Sequence, residues 1–254
     1  MVEVVIGTPI CRRSSFVLDK FLANQKEIQQ NYPSSELVFA TEEKDYIREL
    51  EGLISSYGLR GNVLYFDVIK QDYATLRGWN VTCGREAIRQ YFVSQADAKF
   101  ILWLDGDMIY DPNIINIMLK EIQGFDVTYS GYRGIQETGY EMGTGCSLYT
   151  KNIMGKVKFR YLAFPNHREF PESFMMEADL IRLGSRIKKG VFVSVRHYVT
   201  EQEFYDTAPQ SVGLLRKIAD SRFIRYPLIK ASIFFKHDFF QPLHNFFSGK
   251  LKAI

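Results

Sequence analysis

Short apolar runs, each closed by a turn signal, alternate along the first half of the chain with stretches whose apolar residues recur every three or four positions. Val2 to Ile6 is a β-branched run ended by Gly7-Thr8-Pro9, and it predicts a first buried strand. Ser14 or Ser15 then offers an N-cap for a helix with Phe16, Val17, Phe21 and Leu22 on its apolar face. After the turn at Pro33 comes a second strand, Glu36 to Ala40. Thr41 opens a helix marked by Tyr46, Ile47, Leu50, Leu53, Ile54 and Tyr57 and stopped by Gly58. Asn62 to Phe66 reads as a third strand ending at Asp67. A helix from about Asn80 to Gln95 leads into a fourth strand, Phe100 to Leu104. Such alternation predicts a parallel sheet with helices on both faces.

The fourth strand ends in Asp105-Gly106-Asp107, and Asp111-Pro112 follows as a helix start with Ile114, Ile115, Met118 and Leu119 behind it. The two acids therefore fall on a turn at the carboxyl edge of the sheet, where open α/β folds bind ligands. Carboxylate oxygens at such an edge suit magnesium or manganese, with positions left open for phosphate oxygens. A turn-capping role is the plainer reading of an isolated Asp-Gly-Asp. The same rule about sheet edges nominates Thr8, Pro9, Glu42 and Asp67 as neighbours of a base or ribose, though each is also an ordinary loop residue type.

Further along, Phe125 to Ser130 and Cys146 to Tyr149 predict two more strands around a Gly-rich excursion from Gly131 to Gly145. Pro165, Asn166, His167 and Pro171 mark a second irregular stretch. A helix is expected to begin near Glu177, with Leu180, Leu183 and Ile187 on one face and Gly190 as its stop. Glu177 and Asp179 would then lie at its positive end, where the helix dipole favours anions. Val191 to Val195 reads as a strand followed by His197.

Composition narrows the class without naming the chemistry. The 254 residues, 46% hydrophobic and 24% charged, are ordinary for a globular chain, and a net charge of +3 is too mild to imply nucleic acid. Cys11, Cys83 and Cys146 are far apart and free of C-x-x-C spacing, so neither a disulfide framework nor a zinc site is expected. No apolar run approaches the roughly 20 residues of a membrane span. The start, Met-Val-Glu-Val-Val-Ile, lacks the pattern of a signal peptide, and a reducing cytoplasm is the expected setting.

The pieces in order resemble a GT-A fold glycosyltransferase of the large family-2 type, from about Val2 to Tyr198. The resemblance is carried by Gly7-Thr8-Pro9, Gly84-Arg85-Glu86-Ala87-Ile88, Asp105-Gly106-Asp107, Gly143-Thr-Gly-Cys-Ser-Leu148, Glu177-Ala-Asp-Leu180 and His197. It implies an α/β nucleotide-diphospho-sugar transferase fold over residues 1–220, with a nucleotide-binding half (1–110) and an acceptor half (111–220). It further implies manganese or magnesium at Asp105 and Asp107 with His197 as a third ligand. Nucleotide contacts from Arg85, Asp105 and Gly106 belong to the same pattern. An acid on the later helix would deprotonate the acceptor hydroxyl, which points to Glu177 or Asp179. Relatives commonly carry Glu-Asp-x-Asp-Leu there, whereas this chain has Met176-Glu177-Ala178-Asp179-Leu180. The implied reaction moves a sugar from a UDP- or GDP-sugar to a hydroxyl, with inversion.

Residues 221–254 change character. Arg222, Arg225, Lys230, Lys236, Lys250 and Lys252 face a single acid, Asp238, and are interleaved with seven Phe. This predicts a helical basic-aromatic extension that attaches peripherally to the cytoplasmic face of an anionic membrane, with a lipid-linked acceptor. The alternative is packing on the catalytic domain or a homo-oligomer contact. Two other functions compete. A non-catalytic sugar-nucleotide-binding or membrane-associated scaffold would keep the fold without turnover. A nucleotidyltransferase would need a Gly-rich loop after the first strand, and Gly7-Thr-Pro-Ile-Cys-Arg-Arg13 has one glycine.

Overall fold

The computed structural model describes residues 2–68, 76–130, 144–163 and 169–206, the side chains of Ser14 and Leu76 excepted. The 221–254 extension, the excursion up to Gly143 and the Pro165–His167 stretch lie outside the described residues. Strand β1 (Val4–Pro9) leads through a 3-10 turn (Arg12–Val17) to α1 (Leu18–Asn31) and β2 (Ser35–Thr41). A second 3-10 turn (Lys44–Tyr46) precedes α2 (Ile47–Ser56), β3 (Gly61–Tyr65), α3 (Leu76–Ser94) and β4 (Phe100–Leu104). Then come β5 (Met108–Tyr110), α4 (Ile114–Glu121), β6 (Val127–Ser130), β7 (Cys146–Thr150) and α5 (Lys151–Met154). The described part ends with β8 (Leu162–Ala163), β9 (Glu169–Phe170), α6 (Glu172–Arg182), β10 (Ile187–Val191), β11 (Val195–Tyr198) and β12 (Phe204–Asp206).

Seven strands form one sheet in the order β10-β6-β7-β4-β1-β2-β3. Only β7 runs antiparallel to its neighbours, β4 and β6. Strands β1 to β3 step outward in one direction and β4 returns to the other side of β1, so the strand order reverses between β1 and β4. That reversal opens a crevice at the carboxyl ends of the strands, where Pro9 and Asp105 sit.

Alternation along the buried strands divides the core into two layers. Val4, Ile6, Leu102 and Leu104 face α1, α2 and α4 through Phe21, Leu22, Leu50, Ile54, Ile115 and Met118. Val5, Ile101 and Trp103 face α3, α5 and α6 through Ile88, Phe92, Met154, Met176 and Leu180. Gly7 is required where the Trp103 ring crosses β1, because a Cβ there would lie 2.8 Å from Trp103 Cζ3 and 2.9 Å from Ile88 Cγ2. Gly7→Ala is therefore expected to destabilise the protein by about 1–3 kcal/mol, the usual cost of overpacking a core. A urea midpoint equal to that of the wild type would contradict it.

Several boundaries differ from the sequence expectation. The first helix begins at Leu18, with Ser15 inside the preceding 3-10 turn and Val17 as N-cap, and the second begins at Ile47 rather than at Thr41. Asp111 does not directly precede helix α4. Its carboxylate accepts the Asn113 amide at 2.8 Å and the helix starts at Ile114. The largest correction concerns the expected helix from Glu177 to Gly190. Helix α6 starts five residues earlier, behind Pro171 as N-cap, and stops at Gly184, whose φ of 67° lets Ser185 N donate to Leu180 O at 3.0 Å. Ile187 to Val191 is then the edge strand β10, bulged near Gly190, and 192–194 connect it to β11. Glu177 and Asp179 are accordingly mid-helix, and the positive end of α6 belongs to Glu172.

Candidate active site

The Asp-Gly-Asp turn is fixed from below by a tyrosine. Tyr110 Oη accepts the Asp105 amide at 2.8 Å and lies 2.8 Å from Gly145 O, which it serves as donor. Strand β5 is clamped in turn by Asn24 of α1, which donates Nδ2 to Tyr110 O at 2.8 Å and accepts Tyr110 N at 2.9 Å. Pairing of β5 with β11 sets Met108 opposite His197, and Tyr198 N donates to Asp107 O at 2.9 Å. His197 Nε2 thereby comes to 3.6 Å from Asp107 Oδ2.

Arg85, on α3 and only 4% exposed, bridges two acids. One guanidinium nitrogen donates to Asp105 Oδ1 at 2.6 Å and the other to Glu172 Oε1, which also accepts the Thr144 hydroxyl at 3.2 Å. The Asp105 and Asp107 side chains keep 30% and 22% of their surface exposed, so a ligand can reach both. Burial pushes the Asp105 carboxyl above its ordinary value, Arg85 opposes that shift, and the neighbouring carboxylates Asp107 and Glu172 add to it.

These groups open on a cleft of about 670 Å³ at the carboxyl ends of β1, β2 and β4. Pro9, Glu42, Arg85, Asp105, Gly106 and Asp107 all line it. The remaining sequence candidates lie elsewhere. Thr8 is wholly buried behind Gly106, its Cγ2 3.4 Å from where a Gly106 Cβ would stand. Asp67 accepts the Tyr65 hydroxyl at 2.5 Å and is not on the cleft wall. His197 is buried behind Asp107. Glu177 pairs with Lys189 at 3.4 Å, and Asp179 with Arg160 at 2.6 Å, and neither lines the cleft.

Residues not anticipated from the sequence complete the walls. Glu172 and Ser173 enter from the first turn of α6, Arg13 from the turn after β1, and Arg77 and Asn80 from the start of α3, with Asn80 Nδ2 donating to Glu42 Oε1 at 2.6 Å. The signal for Glu172 was present in Pro171-Glu172, a proline and an acid directly ahead of an apolar-periodic stretch, which is the composition of a helix start.

The architecture has counterparts among solved structures at low sequence identity. S. aureus TarS 1-349 in complex with UDP superposes with a TM-score of 0.55 at 13% identity, over 99% of this chain and 76% of that one. The chain has a GT-A-like glycosyltransferase fold. A mannosyltransferase from Pyrobaculum calidifontis, solved with GDP-Man and Mn2+, gives 0.54 at 10% identity over 96% of this chain and 69% of that one. Against another S. aureus TarS structure the value is 0.55 at 13% identity, and this chain spans 44% of that chain, while it spans 60% of one of the TarS 1-349 chains it matches. No protein-family model and no curated protein matches the sequence. Among the described residues, no helix is long and apolar enough to cross a membrane.

Proposed function

We propose that this protein transfers a sugar from a nucleoside-diphosphate sugar to an acceptor hydroxyl, with inversion at the anomeric carbon and with Mn2+ or Mg2+ as cofactor. The observation that carries the reading is the pair Asp105 and Asp107 on the β4–β5 turn, both reachable from a cleft that also holds Glu172. The structural neighbours support it, since their structures hold UDP in one case and GDP-Man with Mn2+ in the other.

The donor set fits a divalent cation. The Asp105 and Asp107 carboxylates suit magnesium or manganese, and His197 Nε2 lies 3.6 Å from Asp107 Oδ2. Among the described residues no group of three His, Cys, Asp or Glu side chains is placed to hold a metal ion, so an ion here would depend on the two carboxylates together with phosphate oxygens of the ligand. When bound, the ion would supply Lewis-acid stabilisation to the departing nucleoside diphosphate. Arg85 holds Asp105 and Glu172 in fixed relation, and Glu42 and Pro9 border the part of the cleft over β1 and β2, suited to a base or ribose.

The acid favoured to take the acceptor proton is Glu172, because it lines the cleft whereas Glu177 and Asp179 do not. Its Oε1 carries the bonds from Arg85 and Thr144, which leaves Oε2 for an acceptor hydroxyl. A carboxylate acting on the hydroxyl opposite the leaving group gives direct displacement, hence inversion. Release of UDP or GDP from a panel of sugar nucleotides, with Mn2+ and with EDTA, tests the activity. Glu172→Gln is expected to lower kcat by about 10²–10⁴-fold, the usual range for a lost general base, with donor binding kept. Glu177→Gln should stay within a few-fold of wild type, and the reverse ranking would move the base to α6's interior. A product with the donor's anomeric configuration would sink the inverting mechanism. Attachment of residues 221–254 to a membrane that presents the acceptor rests on their basic-aromatic sequence, and vesicle cosedimentation unchanged by deleting them would remove it.

A further inference from the structure

Most arginines of the described residues are already engaged, Arg12, Arg89, Arg160 and Arg196 by carboxylates among them. Arg13 and Arg77 are different. Both line the cleft, both are exposed, and neither has a hydrogen bond or ion pair with another described residue. They approach from different elements, Arg13 from the turn after β1 and Arg77 from the first turn of α3.

The backbone beneath each is held firmly. Next to Arg13, the Arg12 guanidinium is gripped by Glu49 at 2.6 Å and Asp45 at 3.5 Å and lies 4.5 Å above the Tyr46 ring, while the Arg12 amide donates to Glu43 at 3.3 Å. Next to Arg77, Gly78 lies so close to Tyr161 that a Cβ would stand 2.6 Å from Cε2, and the Tyr161 hydroxyl donates to Glu169 Oε2 at 2.5 Å. Each free guanidinium is thus carried next to a residue packed against the rest of the protein.

Charge gives the occupant. The cleft is lined by the carboxylates of Glu42, Glu43, Asp105, Asp107 and Glu172, and Arg85 is committed to two of them. A ligand with two negative phosphates would meet net repulsion on such walls unless cations were held in reserve. Guanidiniums present paired N–H donors that match phosphate oxygens bidentately. We infer that Arg13 and Arg77 form a two-sided clamp on the pyrophosphate of a nucleoside diphosphate. This rests on the sugar-nucleotide reading of the cleft and adds to it the residues that hold the phosphates independently of the carboxylate turn.

The test compares UDP and GDP with uridine and guanosine, in Mn2+, by calorimetry for the diphosphates and ligand-detected NMR for the weaker nucleosides. Arg13→Gln and Arg77→Gln should each weaken diphosphate binding by about tenfold, the scale of one lost charge-assisted hydrogen bond, and leave nucleoside binding unchanged. The double variant should lose about a hundredfold, and its diphosphate affinity should depend less steeply on salt than that of the wild type. An equal loss for nucleoside and diphosphate would make these base-binding or structural residues and overturn the clamp, as would unchanged affinity in both variants. A wild-type protein that binds neither UDP nor GDP overturns the sugar-nucleotide reading itself, and the clamp with it.

Discussion

Asp107→Ala is expected to abolish metal-dependent nucleotide binding and to lower turnover by at least about 10³-fold, because it removes the carboxylate that faces both the cleft and His197. The fold should survive. The Asp107 side chain is partly exposed and its backbone carbonyl, which accepts Tyr198 N, is untouched by the change. Far-UV circular dichroism and a melting curve would establish that, and a Mn2+ titration in the presence of UDP or GDP would read the loss. Unchanged metal dependence in a folded Asp107→Ala variant would remove the turn from the chemistry and return it to the capping role that short Asp-Gly-Asp stretches often have.

Arg85→Met should produce the largest stability change of any single substitution in the cleft. The guanidinium is 4% exposed and Glu172 only 10%, so removing the cation strands a buried carboxylate beside a second one that is 30% exposed. Breaking a buried pair from one side costs about 3–5 kcal/mol. Raising the pH from 5 to 8 should widen the difference between variant and wild type, since burial raises the Asp105 carboxyl above its ordinary value and Arg85 opposes that shift, so Asp105 must then carry its charge without its partner. The Arg85→Met, Glu172→Gln double variant should recover part of the loss, and full additivity of the two changes would show that the pair is not coupled. Urea titration at two pH values measures all of this.

What could be read from the sequence follows from how strongly each element is buried. Strands β1, β2 and β4 are covered on both faces, so their middles read as apolar runs, and α1 and α2 expose one face and keep a clear helical period. The second half is weaker in both respects. Strand β10, Ile187-Lys-Lys-Gly-Val191, lies at the sheet edge, where lysines are common and erase the apolar signature. The sequence pattern therefore runs it into a helix whose true stop, Gly184, is six residues earlier. The site divides in the same way. Asp105 and Asp107 were legible because a buried strand delivers them to the sheet edge. For Glu172 the helix start is legible in Pro171-Glu172, but its place beside Asp105 is not, because it depends on Arg85, 87 residues away in the chain. Arg13 and Arg77 carry no local pattern at all, and only their place on the cleft wall distinguishes them from other surface arginines.

The strand order also bears on when the molecule becomes competent during synthesis. Strand β6 joins the sheet through β7, which is made after it and must slip between β6 and β4. Likewise β5 finds its partner only when β11 emerges, and with it His197. A nascent chain can therefore pair β1, β2 and β3 from neighbouring segments, whereas β4 must return to β1 and β6 must wait for β7, contacts of longer sequence separation, which are the slow ones in folding. Until β11 has left the ribosome, Asp107 has no histidine opposite it. A half-made chain would hold the acids of the cleft wall without the histidine, so the arrangement is complete only when nearly all of the described residues exist.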